Sequence, residues 1–153
     1  MSNGGDMQPL HRALAKLLKG DAISMGFAGG SVTIGSGTPN FSLDGYVSQV
    51  FDWVNQTFPH TKHKLVNGGM GGITSGYIAN CLDHFIPVDL DIVFLEFTVN
   101  DYFSAKGLPA MENSARRRFE RLIRALLQRP DPPAIILLHW QPNRGRLPLA
   151  GRE

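Results

Sequence analysis

Residues 91–101 read Asp91-Ile92-Val93-Phe94-Leu95-Glu96-Phe97-Thr98-Val99-Asn100-Asp101. The run from Asp91 to Phe97 is almost continuously apolar and stops at residues that favour turns. Such a run fits a parallel strand covered on both faces, because a strand with one wet face would alternate. A polar cluster straight after it falls at the carboxyl end of the strand, where open parallel sheets place their chemistry.

The same grammar recurs on both sides. Ala22 to Ala28 is a short apolar run that enters Gly29-Gly30-Ser31-Val32-Thr33. His63 to Asn67 is a weaker strand followed by Asn67-Gly68-Gly69-Met70-Gly71-Gly72. Ala134 to Leu138 is a fourth apolar run, ending at His139. Amphipathic stretches lie between and before these runs. Gln8 to Lys19 places Leu10, Ala13, Leu14, Leu17 and Leu18 at helical spacing, and Gly20 can end that helix. Asp44 to Phe58 and Thr74 to Phe85 follow, the latter with Tyr77, Ile78, Cys81, Leu82 and Phe85 inward and Thr74 or Ser75 as cap. A long helix is expected from about Ala110 to Gln128. Helix and strand in strict alternation predict right-handed βαβ crossovers and one parallel sheet in a three-layer α/β/α domain.

Composition agrees. The chain has 153 residues, 42% hydrophobic and 18% charged, with net charge +2. That is one domain's length, with a charge fraction suited to a sheet buried on both faces. Arg116, Arg117, Arg118, Arg121, Arg124 and Arg129 cluster in the long helix. They read as its solvated face, since no base-stacking aromatics or nucleic-acid module accompany them. The one cysteine, Cys81, excludes an internal disulfide and reads as a small buried hydrophobe. No signal-peptide pattern and no apolar run approaching a membrane span occur, which leaves a cytoplasmic setting as the default.

The three turn segments supply complementary chemistry. Gly29 and Gly30 permit a tight turn into Ser31, whose hydroxyl serves as a nucleophile when a base lies near it and donors face the developing oxyanion. Taken alone, Ser31 would read as a helix cap. The glycine run could cradle phosphate, but G-x-G-x-x-G fails at Thr74 and no G-x-x-x-x-G-K-[ST] exists. Asn100 offers an uncharged amide donor. Asp101 reads as a brace for backbone N–H groups. Glu96 shares a face with Thr98 and Asn100 by strand alternation and reads as a buried acceptor behind the site.

Taken together, and in this order, the segments resemble the SGNH (GDSL) hydrolase family, in the flavour found in plants, algae and some fungi. The resemblance covers about residues 20–140. It implies Ser31 as nucleophile and oxyanion N–H, Gly72 as a second N–H, Asn100 as the amide, and Thr33, Thr98, Asp101 and His139 along the cleft. It implies hydrolysis of acyl esters, carbohydrate acetyl esters included, with a small-molecule or carbohydrate ester as partner, no nucleic acid and no metal or organic cofactor. It also implies a sheet in the order 2-1-3-4-5.

Two departures are mild: Gly30 stands where the family has Asp, and Thr98 where it has Gly. A third is serious. No Asp-x-x-His occurs in the sequence, and in the family that block supplies the base and its orienter. The expectation is a domain over residues 1–140, incomplete at its end, then an irregular tail over 141–153. Without a fifth strand, the fourth would be an open edge inviting self-association. A binding protein retaining the cleft without catalysis, and an unrelated flavodoxin-like ligand-binding domain, are the alternative readings.

Overall fold

The computed structural model describes residues 6–101 and 112–139. Eleven elements follow one another: α1 (Gln8–Lys19), β1 (Ser24–Gly29), α2 (Ser31–Ile34), α3 (Phe41–Asp44), α4 (Tyr46–Thr57), β2 (Lys64–Asn67), α5 (Ser75–Asn80), α6 (Leu82–Phe85), β3 (Ile92–Glu96), α7 (Ser114–Leu127) and β4 (Ala134–Leu137). The four strands form one parallel sheet in the order β2-β1-β3-β4. The first four positions of the expected order are therefore observed.

Two apolar layers enclose the sheet. Met25 and Phe27 of β1, Ile92 of β3 and Ala134 of β4 meet Ala13 and Leu17 of α1 and Val47 and Val54 of α4. Ala28, Val93 and Leu95 point the other way, onto Ile78 of α5 and Leu122 and Leu126 of α7. Alternate residues of β1 and β3 thus serve opposite layers, the geometric consequence of a two-residue period. It makes a three-layer α/β/α domain. Among the described residues no helix is long and apolar enough to cross a membrane.

Helix ends follow local chemistry. α1 runs over the expected span, and Gly20, at φ 78°, closes it in the left-handed conformation. α7 opens at Asn113, whose side chain accepts from Ala115 N at 2.9 Å and Arg116 N at 3.3 Å. The expected start near Ala110 and the tail over 141–153 lie outside the described residues.

Several expectations need correction. The helix expected from Asp44 begins at Tyr46, because Gly45 is extended, with ψ 154°, and separates it from α3. The helix expected over Thr74–Phe85 is broken at Cys81, which leaves the helical region at φ −125°, ψ 38°. The break leaves Cys81 exposed rather than buried, and Tyr77 is 54% exposed rather than inward. Leu14 and Leu18 also face outward at the margin of the otherwise correct α1 stripe. β4 ends in an exposed Leu137 and is less enclosed than β3.

Candidate active site

β1 and β3 pair in register from Met25 with Ile92 to Gly29 with Glu96, so their carboxyl ends stop level. The Gly30 N–H continues the ladder by donating to Glu96 O at 3.2 Å, and α2 starts at the next residue. Gly29 has no room for a side chain: a β-carbon there would stand 2.5 Å from Glu96 O and closer still to Thr33 Oγ1. The turn that carries Ser31 is therefore pressed against the end of β3. Gly30 occupies the N-cap position, so Ser31 is the first residue of α2 and not its cap. Its N–H has no carbonyl behind it within the helix.

The glycine run is tied to the same turn. Gly68 N donates to Phe27 O at 2.7 Å, and Met70 N donates to Gly29 O at 3.0 Å. Asn67 braces the loop twice, accepting from Gly69 N at 2.9 Å and donating to Thr33 O at 3.3 Å. Gly72 sits at φ 74°, a conformation most side chains disfavour, and its α-carbon faces open space. Among the described residues its N–H meets no acceptor.

The third segment closes the constellation. β3 stops at Glu96, and a turn follows in which Asn100 N and Asp101 N both donate to Phe97 O, at 3.1 and 2.8 Å. The expected alternation of Glu96, Thr98 and Asn100 therefore does not extend past the strand. Asn100 Nδ2 donates to Ile73 O at 2.6 Å, next to Gly72 in the chain. The same amide lies over Gly30, where a β-carbon would come 2.3 Å from Nδ2. The bond to Ile73 O fixes which end of the amide faces the turn and leaves the second Nδ2 hydrogen available.

Beneath these loops lie buried polar groups. Thr33, only 1% exposed, sets Oγ1 3.0 Å from the Tyr46 hydroxyl and donates to Glu96 Oε2 at 3.3 Å. Burial pushes the Glu96 carboxyl up from the usual range, with bonds from Thr33 and the Gly30 N–H opposing the shift and the Asp101 charge adding to it. Burial also pushes Tyr46 up to about 12. Asp101, 5% exposed, accepts from Ser75 N at 3.0 Å and from Ser75 Oγ at 2.5 Å. Its carboxyl is likewise raised by burial, against the pull of those two bonds and of Arg118. Neither Thr33 nor Asp101 reaches a cleft surface; both side chains join framework groups. The Ser75 hydroxyl, read from sequence as a possible cap, is bound to Asp101, and sequence patterning gave no sign of that pairing.

Thr98 and His139 meet at the outer end of β3 and β4, with Oγ1 3.2 Å from Nδ1. β3 lies between β4 and β1, which sets His139 two strand spacings, about 9–10 Å, from β1, the strand that leads into Ser31. Of the other histidines, His63 is structural: Nδ1 accepts from Ile23 N at 3.0 Å, so Nε2 carries the proton that goes to Phe58 O at 2.7 Å. Among the described residues no three His, Cys, Asp or Glu side chains gather as metal ligands.

The result is an α/β/α fold with a serine turn, a glycine loop and an asparagine turn at the carboxyl edge of one parallel sheet. Solved structures sharpen this. A two-domain esterase active on acetylated mannans matches with TM-score 0.76 and 28% identity, over 90% of this chain and 35% of its own. The SGNH-hydrolase family esterase AlinE4 matches with TM-score 0.57 and 19% identity, over 76% of this chain and 58% of its own. An acetyl xylan esterase from Geobacillus stearothermophilus, Axe2 with the change W215I, matches with TM-score 0.53 and 22% identity, over 75% and 58%. The chain has the SGNH-hydrolase fold. It spans about a third of the length of the two-domain esterase and under two thirds of the other two. No protein-family model matches the chain, and no curated protein matches it by sequence.

Proposed function

We propose that this site hydrolyses acyl esters, acetyl esters of carbohydrates foremost, with Ser31 as nucleophile. The observation that carries the proposal is the position of the Asn100 amide, against Gly30 on one side and bound to Ile73 O on the other. That position supports a site built from Ser31, which follows Gly30, from Gly72, which precedes Ile73, and from Asn100 itself.

In this reading Ser31 Oγ adds to the acyl carbon as its proton leaves to a base. The oxyanion is held by the Ser31 N–H, the Gly72 N–H and the Asn100 amide. Collapse of the tetrahedral adduct expels the protonated alcohol, and water then releases the acid from the acyl-serine. Acetyl groups on carbohydrates are favoured because the two-domain esterase, at 28% identity, is active on acetylated mannans.

The base is the part that these residues do not supply. The sequence has no Asp-x-x-His, and His139 is held at Thr98. Removing a triad base costs up to ~10⁶ in kcat, while an oxyanion hole and binding retain ~10³–10⁴ over water. The 153-residue chain is therefore a weak esterase that responds to an added base. The test is acetate release from 4-nitrophenyl acetate and from acetylated mannan, with and without imidazole, for the wild type and Ser31→Ala. A Ser31-dependent rate that imidazole raises supports the proposal. Equal rates for the two proteins under both conditions overturn it.

A further inference from the structure

We infer that Asp101 and Ser75 are positioning residues that set the spacing between the two oxyanion donors, Gly72 and Asn100. The inference rests on the ester-hydrolase reading of the site.

The two donors come from segments far apart in sequence and are joined by a small closed circuit. Asn100 reaches across to Ile73 O. Its neighbour Asp101 reaches across in parallel and engages Ser75 with both carboxylate oxygens, one on the N–H and one on the hydroxyl. Ile73 and Ser75 stand one and three residues after Gly72. Two adjacent residues of one loop therefore grip alternate residues of the other, and neither loop can slide without breaking a bond at one of the two grips.

Capping of α5 does not account for this. Thr74 holds the N-cap position of α5 and makes no side-chain capping bond. A threonine hydroxyl there would serve an N-terminal N–H at low cost. Instead the fold buries a carboxylate from 26 residues away, at 5% exposure, and matches it to a serine that is fully buried. Burying that group is costly unless its bonds are made. Its placement beside Asn100 is what a cap would not require. Arg118 packs over Gly76 in the first turn of α5 and adds favourable charge to Asp101.

The experiment compares wild type, Ser75→Ala, Asp101→Asn, Asn100→Ala and the double variant Ser75→Ala/Asn100→Ala. Imidazole-supported ester turnover is one readout; the NMR signals of the Asn100 side-chain amide are the other. Ser75→Ala is expected to lower kcat about tenfold at unchanged KM, because the oxyanion exists only in the transition state. In the Asn100→Ala background the same change is expected to cost under about twofold, since coupled residues are not additive. Asp101→Asn keeps an acceptor for Ser75 N and is expected to retain most of the rate. In Ser75→Ala the Asn100 amide proton on Ile73 O is expected to lose its exchange protection.

A loss of equal factor in both backgrounds, or an Asn100 amide unchanged in Ser75→Ala, overturns the inference. If Ser31→Ala proves as active as wild type, the esterase reading falls, and the amide signals alone decide whether the grip exists.

Discussion

The Asn100 amide rests against the Cα of Gly30, so closely that a β-carbon there would fall 2.3 Å from Nδ2 and 2.9 Å from the amide carbon. The amide fills the space that a side chain at residue 30 would take.

Gly30→Ala is therefore expected to displace Asn100 and to disable the site while leaving the fold. Gly30 lies at φ −82°, which any residue adopts, so no backbone strain is added. Losing one oxyanion donor costs about 10²–10³ in kcat, and a loss of that order is expected with little change in melting temperature. Gly29→Ala makes the contrast, because its β-carbon meets the Glu96 main-chain oxygen as well as the buried Thr33 side chain. It is expected to lower stability first. Parallel melts and rates decide; a Gly30→Ala protein with full Ser31-dependent turnover would refute the packing argument.

Glu96 predicts a pH-dependent stability. Burial raises its folded pKa above the unfolded value, so the folded state keeps the proton to higher pH. Stability then falls as pH rises from the unfolded pKa through the folded one, and is level above it. Glu96→Gln lacks that titration, while its carbonyl can still accept from Thr33. The melting temperature of Glu96→Gln relative to wild type is expected to climb as pH rises above the ordinary carboxylate range and to flatten once the folded carboxyl has ionised. A constant difference over that range would show that Glu96 does not titrate as its burial requires.

Tyr46 gives a spectroscopic check on the same network. Burial holds its ionisation near 12, and the Thr33 hydroxyl beside it opposes the shift only in part. Of the three tyrosines, Tyr77 is exposed. Ultraviolet titration is expected to show a late phase, coincident with loss of near-ultraviolet dichroism, that is absent in Tyr46→Phe. The same substitution removes the hydrogen bond with Thr33, a loss expected to cost about 1 kcal/mol.

The legible parts of this molecule are those governed by a single period or a single local rule. The continuous run at Asp91–Phe97 gave away β3, and α1 showed its stripe, its span and its closing Gly20. The order of the serine, glycine and asparagine turns followed from the rule that parallel strands end on one edge. What stayed hidden depends on contacts across the chain. Nothing local at Ser75 announces Asp101, because their separation is 26 residues. The break at Cys81 was missed because its apolar spacing continues through a backbone that does not, which put Cys81 and Tyr77 outside. Glu96 was legible as a buried acceptor, but Tyr46 as part of its network was not, since the connection runs through Thr33 on α2.

Cys81 yields a direct test of that correction. As the chain's one thiol, exposed at the α5–α6 break, it is expected to react with a disulfide reagent in the folded protein at the rate seen in denaturant, within a few-fold. Protection by orders of magnitude would restore the buried reading.

Arg129 sets the last expectation, on stability rather than catalysis. Its side chain is only 7% exposed and follows α7, yet its guanidinium reaches α6 and the segment directly after it. There it donates to Pro87 O at 2.7 Å, Ile86 O at 2.5 Å and Asp83 Oδ1 at 2.8 Å. The carboxylate is the minor partner, because Asp83 is 76% exposed and exposed ion pairs contribute about 0–1 kcal/mol. The two carbonyls matter more: Ile86 is buried, and stripping a charged donor from a buried acceptor costs about 2 kcal/mol. Arg129→Ala is thus expected to lose about 2 kcal/mol, and Asp83→Ala under about 0.5 kcal/mol. Arg129→Lys should recover only part, since an ammonium cannot reproduce the planar fork that spans both carbonyls. Denaturant unfolding of the three variants checks the ranking. If Asp83→Ala proves as damaging as Arg129→Ala, the ion pair, not the carbonyl clamp, holds α7 to this segment.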